Sequence, residues 1–287
     1  MRNLIFAAGA VLPLLLAVPA SADHHMGWTR SADVGLGYDD NASNAPDGPD
    51  QRGNAVLAGN FNLDFHWRPT LYTGLLLRGT LGAEGYADDS KLSNGKAGLT
   101  ARVSHRPAGG FHMPTIAAWL SGAVREFGSE LRSGTELRAG TYLMMPITTA
   151  IGARVSAGLA ERAADEHVFD LSTVTYGVDL DWKVATRVTT YLGYQQIDGD
   201  LVSSSSLAPV GGYGDYAEDD AFEGFWAYRL DGQTQVASAG LNFALSPALA
   251  LDAQVLRADA SADYAGPVVV DASYERWQFM LGLLMRL

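Results

Sequence analysis

ASYERWQFMLGLLMRL, residues 272–287, alternates with period two up to its last residue. Trp277, Phe279, Leu281, Leu283, Met285 and Leu287 fall on one side, with Tyr274, Arg276, Gln278 and Arg286 on the other. Successive side chains of a strand point to opposite faces, so a period of two held over this length makes a strand that is apolar on one face from Trp277 to Leu287, rather than a core helix.

The same pattern recurs upstream. Residues 55–67 set Leu57, Phe61, Leu63, Phe65 and Trp67 against Asn60, Asn62, Asp64 and His66. Residues 71–86 set Leu75, Leu77 and Leu81 against Arg78 and Glu84, and residues 171–183 set Val174, Tyr176, Val178, Leu180 and Trp182 against Asp179 and Asp181. Extended along the chain, the reading predicts strands at 29–39, 55–67, 71–86, 96–106, 115–126, 135–145, 150–162, 171–183, 187–197, 233–245, 249–260 and 272–287. Each reaches the roughly 9–11 residues that a tilted strand needs to cross a bilayer. An even number also lets an antiparallel sheet close with both termini at one end.

The connections alternate in character. Residues 68–70, 106–114, 146–148, 184–186 and 246–248 are short turns, often with Pro, whereas 39–54, 87–95, 163–170 and 198–232 are longer and acidic and hold most of the net charge of -12. Trp67, Trp182 and Trp277 lie near strand ends, where aromatic girdles mark a membrane interface. The expected fold is therefore all-β: a transmembrane antiparallel up-and-down β-barrel of about 12 strands, whose edge-free sheet satisfies every backbone group in lipid.

Residues 1–22 have the form of a secretory signal peptide, with Arg2, an apolar run from Leu4 to Val18, and Ala20-Ser21-Ala22 as the cleavage site. The barrel domain then covers residues 23–287. Pro13 and Pro19 break the apolar run, and no other stretch approaches the roughly 20 residues of a spanning helix. With no cysteine, the chain has no disulfide, thiol catalysis or Cys-based metal site. Apolar residues make up 47% of the chain while its mean hydropathy stays near zero, as expected when they coat one face of every strand. The acidic balance disfavours nucleic acid. Expected partners are outer-membrane lipids, lipopolysaccharide and the barrel assembly machinery; no cofactor is expected.

Gly282, Met285 and Leu287 resemble the C-terminal insertion signal of bacterial outer-membrane proteins, with Met280 in its polar place and Leu287 in place of the usual terminal Phe. The run Val34-Gly35-Leu36-Gly37-Tyr38-Asp39-Asp40-Asn41 resembles the opening strand of the β-barrel porin-2 group and of the barrel domain of surface lipoprotein assembly modifiers. Both resemblances imply an outer-membrane barrel and a location in the bacterial outer membrane.

The polar faces direct Arg78, Lys96, Arg102, Arg125, Arg138, Arg154 and Arg276 to the lumen, together with Asp64, Glu84, Glu136, Asp179, Asp181 and Asp252. Such near balance fits either an interlocked ion-pair network or a channel whose cationic ladder guides a small acidic solute, because charge rows focus potential in a low-dielectric tube. Twelve strands lie between the filled eight-stranded barrel and the open sixteen-stranded pore. Gly74, Gly82, Gly98, Gly140, Gly152, Gly158, Gly193 and Gly240 provide either space or curvature.

The expectation is a porin-like channel for a small hydrophilic, acidic solute. The alternative is a closed barrel whose acidic, aromatic outer loops bind surface partners or support envelope assembly. An outer-membrane hydrolase ranks third: no His-x-Ser pair is present, and Asp165-x-His167 with Asp88 and Asp89 resembles the Asp-His and carboxylate pairs of omptin proteases. Within 198–232, Tyr213, Tyr216, Phe222, Phe225, Trp226 and Tyr228 suggest an inward-folding constriction or a glycan contact. Asp215, Glu218, Asp219, Asp220 and Glu223 are expected either to be solvated or to bind Ca²⁺ or Mg²⁺. After cleavage, the Asp23 amine and His25 would form a square-planar Cu(II) or Ni(II) site.

Overall fold

A computed structural model describes residues 26–46, 48–107, 109–208, 215–264 and 270–287; the predicted signal peptide and His25 metal site lie outside the described residues. The strands are β1 (Met26–Asp39), β2 (Asn54–Trp67), β3 (Thr73–Tyr86), β4 (Asn94–His105), β5 (Thr115–Phe127), β6 (Gly134–Pro146) and β7 (Ile151–Ala164). They continue with β8 (Leu171–Ala185), β9 (Val188–Ser205), β10 (Asp215–Asp219), β11 (Phe225–Ser246), β12 (Leu249–Tyr264), β13 (Val270–Asp271) and β14 (Tyr274–Arg286). Single 3-10 turns occupy Ser90–Leu92, Glu130–Arg132 and His167–Phe169.

Each strand from β1 to β9 pairs antiparallel with the next, β9 pairs with β11, β11 with β12, and β12 with β14. β14 returns to β1, with Gly35 opposite Gly282 and Leu36 opposite Leu281, and closes a 12-stranded barrel. β10 adds to β11 and β13 to β12 outside that ring. The predicted terminal strand is thus the closing strand. An edge-free ladder of this kind is one of the two structures able to span hydrocarbon.

Alternation sorts the wall into two faces. Leu36, Leu57, Leu81, Leu99, Leu120, Leu159, Leu192 and Leu281 point outward, Leu99 being 73% exposed. A belt of this extent would drive aggregation in water, whereas against acyl chains it is stable. Trp28, packed on Phe65 at 5.0 Å between centroids, borders the belt at the turn end with Trp67 and Trp182. Trp277, stacked on Phe279, borders it at the loop end.

The stretch 198–232, expected as an outer loop, is not a loop throughout. It is largely a hairpin, because β9 runs on to Ser205 and β11 starts at Phe225, paired from Trp226–Ser205 downward. Above the belt a strand needs no apolar outer face, so the alternation that marks the other strands is absent there. The rising pair bends where Gly199 stands opposite Gly232. A Cβ on Gly199 (φ 124°) would lie 2.3 Å from the Ser172 carbonyl oxygen, and one on Gly232 would lie 2.4 Å from that of Ser261. Only glycine allows the neighbouring backbones this close.

Candidate functional site

The site consists of the barrel interior and a cap over its loop end. Loop 40–53, between β1 and β2, turns inward and buries Asn41, Ser43 and Ala45. Asn41 donates through Nδ2 to the carbonyls of Ala45 (2.8 Å) and Glu275 (3.0 Å). Asn44 holds a left-handed conformation (φ 54°) that places its side chain against β9: Nδ2 donates to the Val202 carbonyl (3.3 Å), and Ser203 Oγ donates to the Asn44 carbonyl (2.9 Å).

From the other side, the turn between β10 and β11 crosses the mouth. Asp219 accepts from Arg132 Nη2 (2.5 Å) and Ser204 Oγ (2.6 Å), while Asp220 accepts from Lys91 Nζ (3.3 Å) and Ser129 Oγ (2.6 Å). Phe222 and Phe225 join Ala42, Val56, Tyr86, Leu92 and Ala221 in a buried cluster. The Arg132 guanidinium also stacks over Phe169 at 4.3 Å. The aromatic turn therefore folds inward, and Asp215, Asp219 and Asp220 are taken up by Arg229, Arg132 and Lys91.

Electrostatics follows this geometry. Burial pushes Asp219 up, but the Arg132 charge and the donors from Arg132, Ser204 and Ala221 hold it below its ordinary value of 3.8. Asp50 is also held low, because bonds from Ser206 and Ser205 outweigh its burial. Burial raises Asp40 despite its bond from the Trp277 N–H. His167 is raised by its hydrogen bond to Asp170, 2.8 Å away. Asp89, from the other half of the omptin-like set, accepts instead from Asn54 Nδ2 (2.7 Å).

Beneath the cap, Arg276 is fully buried and reaches both β1 and the inward-turned loop 40–53. Its Nε donates to Asp39 Oδ1 (2.9 Å), Nη2 donates to Asp39 Oδ2, and Nη1 donates to Asn44 Oδ1 (3.1 Å). Gln278 Nε2 adds a bond to Asp39 (3.0 Å). Farther down, Arg78 grips Asp64 through two bonds of 2.7 Å, and Arg154 Nε meets Asp179 at 2.9 Å. Glu84 accepts from Asn94 (2.9 Å) with Arg125 Nη1 at 4.0 Å, and Arg138 pairs with Glu136. Asp252 accepts from Tyr191 Oη (2.8 Å) and Asn242 (3.3 Å). Register turns Arg102 inward beside Leu76 and Trp119, and Asp181 inward beside Gly152 and Tyr191.

Some interior residues escaped the sequence reading. Arg162 faces inward opposite Glu136. Trp119 lies over Gly140, where a Cβ would come within 2.9 Å of its ring, and Tyr191 covers Gly240 in the same way. Part of the room left by these inward glycines is thus filled by aromatic rings, a cross-strand relation that single-strand parity does not show.

Charge is segregated around the ring. Lys96, Arg102, Arg125, Arg138, Arg154 and Arg162 all project inward from β4–β7, where Glu136 is the acid sharing that face. Across the lumen, β9, β11 and β12 present the apolar cluster Ile197, Val236, Leu256 and Ala258, with Asp252 nearer the turn end.

No family model and no curated protein matches this chain. Solved structures do. An outer-membrane channel from Pseudomonas putida F1 superposes with a TM-score of 0.55 at 12% identity, covering 94% of this chain and 100% of that one. The NanC porin superposes with a TM-score of 0.52 at 8% identity, covering 89% of this chain and 100% of that one. At such identities the likeness concerns the fold. Together with the closed ring and its lipid-facing belt, it establishes the chain as a bacterial outer-membrane β-barrel.

Proposed function

We propose that this barrel is a porin-like channel for a small hydrophilic anion, with the cap as the gate at its loop end. The segregation of inward cations onto β4–β7 carries the reading, because a row in which cations outnumber acids six to one along a low-dielectric tube lowers the barrier for counter-charged solutes. The mature protein, refolded and inserted in planar bilayers under a KCl gradient, tests it through its reversal potential. An anion-preferring conductance that shifts toward cations in Arg102→Glu is expected. A cation-preferring pore, or one indifferent to that substitution, overturns the reading.

The cap itself favours a second reading, a closed barrel whose loops meet surface partners. A folded protein that stays silent at all voltages, with its cap intact, supports that alternative.

A further inference from the structure

The cations at the loop end of β4–β7 outnumber the acids beside them. Lys96, Arg125, Arg138 and Arg162 gather beneath Arg132, with Glu84, Glu136 and Asp219 as the neighbouring carboxylates. Asp220 is engaged by Lys91. Five cations against these three carboxylates leave a surplus of two positive charges. Neither Lys96 nor Arg162 has a carboxylate within ion-pair distance among the described residues, and the Lys96 side chain makes no hydrogen bond there.

The orphaned donors point the same way. Arg125 is 6% exposed and Arg132 8%, yet the Nε of each is buried without a hydrogen-bond partner among the described residues. Buried guanidinium donors are rarely left unpaired, because desolvation without a partner is costly. Phe127 steadies the group, with Arg125 and Arg162 stacked over its ring at 5.9 and 5.1 Å. Fixed guanidinium planes suit an oxyanion, which accepts from them in a bidentate fork.

We propose that Lys96, Arg125, Arg138 and Arg162, beneath the Arg132–Asp219 clasp, form a binding site for a small oxyanion carrying two negative charges. The site deepens the channel reading by naming the class of solute, and it rests on that reading only for its place in a transport path.

The experiment is equilibrium titration of the refolded mature protein in detergent, at neutral pH and constant ionic strength, with sodium sulfate and with malonate; chloride is the monovalent control. Saturable binding of a dianion without competition from chloride is expected. Sulfate binding alone assigns an inorganic oxyanion, and malonate binding alone assigns a dicarboxylate; either supports the site. Lys96→Gln removes a charge without orphaning a hydrogen-bond partner. It is expected to weaken binding about tenfold, the scale of one charge-assisted bond, while Arg68→Gln in a distant turn leaves it unchanged. No saturable binding, or equal affinity in Lys96→Gln verified as folded by heat-modifiable gel mobility, overturns the proposal. Because the readout needs no membrane, a silent pore leaves this test intact, and an anion-selective pore that binds neither probe refutes the site alone.

Discussion

Replacing Asp219 by Asn should open the cap without disturbing the barrel. The carboxylate is 1% exposed and accepts from Arg132 (2.5 Å), Ser204 (2.6 Å) and the Ala221 N–H (3.1 Å). Asn keeps the shape and one acceptor oxygen but loses the charge facing Arg132, whose side chain is only 10% exposed. A hydrogen bond to a charged group contributes about 1.5–3 kcal/mol, so the open population should rise about 10- to 150-fold. The absence of cysteine makes the assay clean: Ala221→Cys places one thiol in the buried cluster, and its maleimide labelling rate follows the open fraction when reclosing outpaces reaction. Asp220→Asn supplies the internal contrast. Lys91 in its ion pair is 51% exposed, so its loss should cost about 0–1 kcal/mol and change labelling less than about fivefold. Equal rates in the two variants, or no acceleration by Asp219→Asn, would refute the assignment of Asp219 as the clasp.

Three further outcomes follow from the same geometry. Asp219 is depressed below 3.8 in the folded cap, so its stabilisation is complete above that pH and is lost as pH falls through the lower folded value; Asp50 acts in the same sense, and Asp40, raised by burial, partly opposes them. Conductance should therefore be flat from pH 7 to 5 and rise below about pH 4, and a rise centred near pH 6 would implicate other groups. Arg276→Ala should destabilise the barrel by about 3–5 kcal/mol in urea titrations by stranding buried Asp39; Asp39→Ala in the same chain should recover part of the loss, and additive effects would deny the coupling. Trp119→Ala should enlarge single-channel conductance by removing a ring from the lumen, an effect Gly140→Leu should not reproduce.

The barrel was legible because lipid imposes one rule on every wall strand: apolar outward, anything inward. That rule locates 55–67 and 272–287 from their side chains alone and carries Arg78, Arg125 and Arg154 to the inner face. Above the belt the rule lapses. The Ser203–Ser205 end of β9 and the Phe225–Leu230 start of β11 are ordered by pairing with each other and by the glycine pair below them, which no alternation of side chains marks. The cap was harder still. Asn41, Asn44 and Asp219 look like ordinary turn residues, and their importance lies in partners at Val202, Glu275 and Arg132, contacts that no local pattern announces. Aromatic density in 198–232 was the one usable signal, and it pointed to the inward-folding Phe222 and Phe225.

The cap also records the order of assembly. Asn44 meets Val202 across 158 residues of chain, and Arg276 meets Asp39 across 237. Contacts so distant in sequence form after the nearer hairpins have shortened the loops that separate them. The Arg276–Asp39 bond joins the two strands of the closing seam, and Asn44 leans on the same arginine. An unsealed sheet therefore cannot complete its lid, and a nascent barrel stays uncapped until its last strand has met its first.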